Sequence, residues 1–186
     1  MKKKSNQILL VALLLIALVF AMITIGVAKS TYNKKVAAEK ITEPDFYSMQ
    51  EASAENSSAV LKALKSGSAE KLKKLMIDPD GAENVIGYAD WKSADIENAV
   101  SLGAGSFSTV PDKKGRIDIN ERFFVSVGEQ KYVIYIETIT SRHGMINDGV
   151  SAIGATTYEH FNELNYSWNG EKDDNSVTAG KAFVAE

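Results

Sequence analysis

"RIDINERFFVSVGEQKYVIYIETITS", residues 116–141, decides the architecture of this 186-residue chain. In its first half the odd positions Ile117, Ile119, Phe123, Val125 and Val127 are apolar, and the alternation is interrupted once, at Glu121. A period of two sends successive side chains to opposite faces, so this half is predicted to be a strand with one buried face. "GEQ", residues 128–130, separates it from residues 131–141, and Gly128 at the head of so short a loop makes the pair a hairpin. The second strand is apolar on both faces through Val133, Ile134, Tyr135 and Ile136, which places it in the middle of a sheet.

Working outward, "VSAIGATTYEHF", residues 150–161, is expected to be a further strand, because its β-branched and aromatic residues and Gly154 argue against a helix. "SFSTV", residues 106–110, reads as a weaker strand before the hairpin. "NYSWNGEK", residues 165–172, reads as a strand end with an Asn-Gly turn, and residues 171–186 as a polar tail that frays. The sheet is thus predicted to be antiparallel, with about four strands.

Upstream the period changes to that of helices. Thr42 can cap, Pro44 suits a first turn, and Phe46, Met49, Ser53, Val60 and Leu64 recur at helical spacing, with Glu51, Glu55 and Lys62 left to solvent. This face is thin in its middle, where Ser53, Asn56, Ser57 and Ser58 cluster. Gly67 ends the helix, and Ser68 caps a second one with Leu72, Leu75 and Met76 as its stripe. "DPDG", residues 78–81, is a turn by composition. A third helix is expected over residues 93–102, with Ile96, Ala99 and Val100 inward and the glycines of residues 103–105 as its stop. Helices followed by an antiparallel sheet make an α+β fold, with helices packed on one face of a curved sheet.

The amino terminus says where such a domain works. Residues 8–28, "ILLVALLLIALVFAMITIGVA", hold no charge, and Thr24 is their only polar side chain. As a helix the run reaches roughly 30 Å, the thickness of a bilayer's hydrocarbon core. The apolar region of a secretory signal is usually about 7–15 residues and ends in a small-x-small site. Gly26 and Ala28 offer such a site near Ala28, but the length favours a retained signal anchor, with secretion after cleavage as the alternative. Lys2, Lys3 and Lys4 keep the tail of residues 1–7 in the cytoplasm and put the rest outside. Residues 29–43, with Lys29, Lys34, Lys35 and Lys40, form a stalk. The predicted layout is tail, transmembrane helix over 8–28, stalk, an extracytoplasmic domain over 44–170 and the polar tail.

Charge and composition exclude several functions. The first 28 residues contribute three lysines and no acid, which leaves 18 basic against 24 acidic residues, or −6, in the remaining 158. Such a surface gives phosphate backbones no electrostatic hold, so no nucleic-acid partner is expected. With no cysteine, disulfides, thiolate nucleophiles and Cys-based zinc sites are ruled out. No Gly-x-Ser-x-Gly elbow, phosphate loop or dinucleotide fingerprint occurs, and no cofactor is expected.

"AVLKALKSGSAEKLKKLM", then a short helix and strands with "FFVSVGEQKYVIYIETI" and "YSWNGEK", resembles the nuclear transport factor 2-like superfamily of cone-shaped domains. The chain is similar in particular to small membrane-anchored versions from Gram-positive bacteria. The resemblance covers residues 43–170 and rests on element order and the Leu-Lys-Ser-Gly-Ser turn between the first two helices. It implies a pocket between helices and sheet. The family includes isomerases, dehydratases, binding modules and scaffolds of envelope machines, so the fold does not choose among them. No catalytic residue is carried over.

The residues themselves offer Tyr135, Glu137, Tyr158 and His160 as candidate pocket groups. Glu137 interrupts an apolar strand and shares a face with Tyr135; desolvated, its carboxylate could act as a base with Tyr135 or Tyr158 as hydrogen-bond donor. If residues 150–161 are a strand, Tyr158 and His160 share one face and Glu159 lies on the other. The two histidines, His143 and His160, lie far apart, without the i, i+4 spacing of a metal pair, so no metal is expected. The functional expectation is a single-pass, non-enzymatic binding or assembly module at the cell envelope, with a protein partner or a second copy of itself. The alternative is an anchored small-molecule binder or enzyme that uses the pocket.

Overall fold

The computed structural model describes residues 43–107, 116–141 and 147–182. They form α1 (Glu43–Ser66), α2 (Ala69–Lys73), α3 (Ala82–Gly87), a 3-10 turn (Trp91–Ser93), β1 (Val100–Phe107), β2 (Arg116–Val127), β3 (Gln130–Ser141), β4 (Asn147–Thr157), α4 (Tyr158–Glu163) and β5 (Ser176–Gly180). The fold is α+β. Its sheet has five strands in the order β1-β2-β3-β4-β5, every neighbour antiparallel.

The predicted hairpin is present, with a loop one residue shorter than the expected residues 128–130, because Gln130 joins β3. β2 and β3 pair without a register shift from Arg116↔Ser141 to Val127↔Gln130, leaving Gly128 and Glu129 as the loop. A two-residue hairpin needs a left-handed first residue, and Gly128, with φ of 61°, supplies it. β3 is central, and Val133 through Thr140 are all buried.

Two layers explain that burial. On one face Ile134 and Ile136 of β3, with Val125, Ile153 and Ala155, pack against Val60, Leu61 and Leu64 of α1, Leu72 of α2, Val85 of α3 and Trp91. On the other face Val133, Tyr135 and Ala152 meet Phe161 of α4 and Trp168. In α1, Met49, Ser53, Val60 and Leu64 are fully buried, as their spacing predicts. Ser68 caps α2 by accepting the Lys71 N–H, and Gly67 takes a φ of 65° between the two helices. Residues 78–81 form the expected turn region.

Four expectations are corrected. Residues 93–102 are not a helix: after the 3-10 turn the Asp95 N–H donates to Ser126 O at 2.8 Å and Ala94 bridges to Val127, so the end of β2 claims the backbone. The Asp95 carboxylate also accepts from the Asn98 amide at 2.9 Å, a local bond that competes with helix. The glycines of residues 103–105 stop no helix; they lie in β1, where the pairing with β2 shifts twice. Such bulges are how edge strands discourage pairing with other chains.

The strand expected over residues 150–161 ends at Thr157, whose Oγ1 accepts the His160 N–H and starts α4. Residues 165–172 are not a strand end, because Asn165 and Tyr166 take left-handed φ of 52° and 63°. Finally, the tail contains β5. Val177 and Ala179 pair with Ala155 and Ile153, which raises the sheet from the expected four strands to five.

No helix among the described residues is long and apolar enough to cross a membrane. The expected span over 8–28, the stalk up to Thr42, residues 108–110 of the early strand and His143 lie outside the described residues.

Candidate functional site

Tyr135 and Glu137 stand two apart on β3 and therefore share a face, the one turned away from α1. The Tyr135 hydroxyl lies 2.7 Å from Asn120 Oδ1 and 2.9 Å from Glu137 Oε2, and its single proton serves both acceptors. Ser151 Oγ donates to Glu137 Oε1 at 2.6 Å. A bulge brings it there: Glu137 pairs with Ala152 but Thr138 with Val150, so Ser151 is the extra residue of β4. Tyr135 and Glu137 are 4% and 3% exposed. Burial, and then the neighbouring Glu137 charge, push the Tyr135 phenol far above its usual range, so it remains a protonated donor.

This group is packed rather than open. Trp168 meets the Tyr135 ring edge-on, with centroids 6.2 Å apart. Gly170, at φ of 88°, lies so close that a Cβ there would come within 2.3 Å of the Tyr135 ring. A carboxylate held by two hydroxyl donors beneath such a cover cross-links three strands; nothing in its geometry offers it to a substrate.

Tyr158 and His160 do not join that group. On a helix, residues two apart point about 200° away from each other, so the shared face expected of a strand is lost. Tyr158 packs edge-on against Phe124 at 5.3 Å. His160 is a clamp: its Nε2 lies 2.8 Å from Asp173 Oδ2 and its Nδ1 3.5 Å from Glu163 Oε2, tying α4 to the segment that leads into β5.

The Asp173 hydrogen bond, against a smaller cost of burial, raises the His160 pKa above the ordinary 6.5. At Asp173 burial acts upward, but the bonds from His160 and the Asn175 N–H outweigh it and hold the carboxyl below 3.8. A raised imidazole contributes stability that is fully present below pH 6.5 and lost as pH rises through its folded value. A lowered carboxyl contributes above its ordinary value and loses that contribution as pH falls through the folded one. Denaturation of the protein and of His160→Gln across pH should therefore show the greatest difference between about pH 4 and 6.5, shrinking on both sides. A difference that grows above pH 8 would contradict the clamp.

An opening lies on the other face of the sheet. Between α1, residues 93–99 and the adjoining part of the sheet lies a cleft of about 860 Å³, within the range of small-molecule sites. Leu61, Ile96, Ala99 and Phe123 give it apolar walls, and Lys62, Lys65, Asp95 and Glu97 lie around it. Lys65 Nζ donates to Ala94 O at 2.5 Å, holding the far wall to α1. Glu121 lines the cleft although only 7% exposed, and its Oε2 accepts from Ser57 Oγ at 2.5 Å.

Glu121 and Ser57 are the residues the sequence reading passed over. Their signals were present as two flaws, the one break in the β2 alternation and the serine-rich middle of α1. Each flaw answers the other across the helix–sheet interface. Among the described residues Ser57 has a carboxylate and no imidazole beside it. Among the described residues no group of three or more His, Cys, Asp or Glu side chains could hold a metal ion. No family model, curated protein or solved structure matches the chain.

Proposed function

We propose that the chain is a single-pass membrane protein whose extracytoplasmic domain is a non-enzymatic binding or assembly module, and that the cleft between α1 and the sheet is its binding site. The observation that carries this reading is the cleft itself, an open space with apolar walls between α1 and the sheet. The uncharged run over residues 8–28, preceded by three lysines, supports the anchor and its orientation. A pocket between helices and sheet is also what the resemblance to the nuclear transport factor 2-like superfamily implies. An enzyme built on Tyr135 and Glu137 finds less support, because both are buried on the opposite face, with Trp168 and Gly170 packed against Tyr135.

Position-specific photocrosslinking of the full chain in native membranes tests both halves of the proposal. A photoreactive residue at Lys62, on the cleft, should yield an adduct of defined mass that is absent when the residue replaces Glu159 on the opposite layer. The protein should sediment with membranes. Equal adducts at both positions would remove the cleft from the reading, and soluble protein with a mature amino terminus at Lys29 would remove the anchor.

A further inference from the structure

We infer that the cleft recognises an organic cation, an ammonium or guanidinium group carried on an apolar stem, with Glu121 as its counter-charge. This rests on the reading of the cleft as the binding site and adds the class of ligand. Glu121 is a carboxylate more than nine-tenths buried, and its position on β2 turns it toward α1 and into the cleft. Ser57 satisfies Oε2 only, and among the described residues Oε1 has no hydrogen-bond donor and neither oxygen has a cationic partner. Oε1 keeps its access to the cleft, and a carboxylate so largely desolvated, with no counter-charge paired to it, gains when a ligand brings a cation to that oxygen.

The nearest lysine does not provide it. Lys65 donates to Ala94 O rather than pairing with Glu121, and Lys62 and Lys65 stand against three carboxylates around the cleft, Asp95, Glu97 and Glu121, which leaves it acidic. Phe123 lies two residues along β2 from Glu121, hence on the same face, and offers a ring to a cation at the carboxylate. Leu61 and Ile96 supply apolar surface for a stem of a few carbons. An anionic ligand of the same shape would meet Glu121 at the depth of the cleft and be repelled.

The test uses three probes of equal length, n-butylammonium, n-butanol and butyrate, titrated into the full chain in zwitterionic nanodiscs and followed by NMR shifts of Leu61 and Phe123. Butylammonium should bind at least ten-fold tighter than butanol, with butyrate weakest, and Glu121→Gln should reduce the ammonium to the affinity of the alcohol. Ser57→Ala, which leaves the carboxylate in place, should keep the preference. The three probes discriminate on the unsubstituted chain, so folding of the variant is not a condition. Equal affinity for amine and alcohol, or a preference for butyrate, would overturn the cation while leaving the cleft a binding site. Failure of all three probes would also overturn it, and failure of the reading beneath it would show separately, as loss of the Lys62-specific crosslink.

Discussion

Replacing Trp91 by alanine should lower the stability of the domain by about 3–5 kcal/mol, the usual range for a fully buried tryptophan. Trp91 is 1% exposed and lies in the core between the helices and the sheet. Its ring meets Tyr132 of β3 edge-on at 5.4 Å, and its Nε1–H donates to Val85 O at 2.7 Å, which ties the 3-10 turn to α3. Alanine at this position leaves a cavity and removes one of the donors to the Val85 carbonyl, which keeps the Tyr88 N–H, and both effects act in the same direction. Against a total of about 5–15 kcal/mol for a typical domain, the loss is large.

The effect should reach the cleft. Ser93, Ala94 and Asp95 follow Trp91 after Lys92 and form one wall of the cleft, so a turn released from the core would no longer hold that wall against Lys65. Urea denaturation followed by the fluorescence of Trp168 measures the first effect, and butylammonium titration below the unfolding range measures the second. Trp91→Phe, which keeps most of the apolar volume and loses the N–H, should fall between. A loss under about 1 kcal/mol for Trp91→Ala would mean that the site collapses around the missing ring, and would contradict the packing described.

Local chemistry explains which parts of this fold the sequence announces. The β2–β3 hairpin is legible because alternation, a short loop and Gly128 agree, and the Ser68 cap is legible because its donor, the Lys71 N–H, is three residues away. Residues 93–102 mislead because Ile96, Ala99 and Val100 fit helical spacing, while the bonds that decide against helix come from Ser126 and Val127, some thirty residues on. β5 hides because its contribution to the core is two small apolar residues, Val177 and Ala179, within a polar stretch. The cleft hides for a related reason. Ser57 and Glu121 are separated by 64 residues, and each alone looks like a defect in its own pattern.

Glu137 is the sharpest case, because its strand and face were legible and its role was not. Alternation places it with Tyr135, but only the fold shows that Glu137 is buried and that Trp168 and Gly170 pack against Tyr135. Two substitutions separate an acceptor from a base. Glu137→Ala removes the acceptor of both Tyr135 and Ser151 and opens a cavity among buried groups, and it should cost about 2–4 kcal/mol. Glu137→Gln should cost less than about 1 kcal/mol: its amide oxygen can still accept from Ser151, and its NH₂ can donate to the Tyr135 oxygen while that hydroxyl donates to Asn120. Denaturant unfolding of the two variants supplies the comparison. A base would part from this at the truncation: amidation would leave the fold intact in either case, but removing a strained, desolvated charge would not lower stability. Unchanged stability in Glu137→Ala would therefore remove the structural role assigned to this network. A carboxylate that tolerates amidation but not truncation is valued for the hydrogen bonds it accepts, which leaves Glu121, on the open face, as the buried acid placed to meet a ligand.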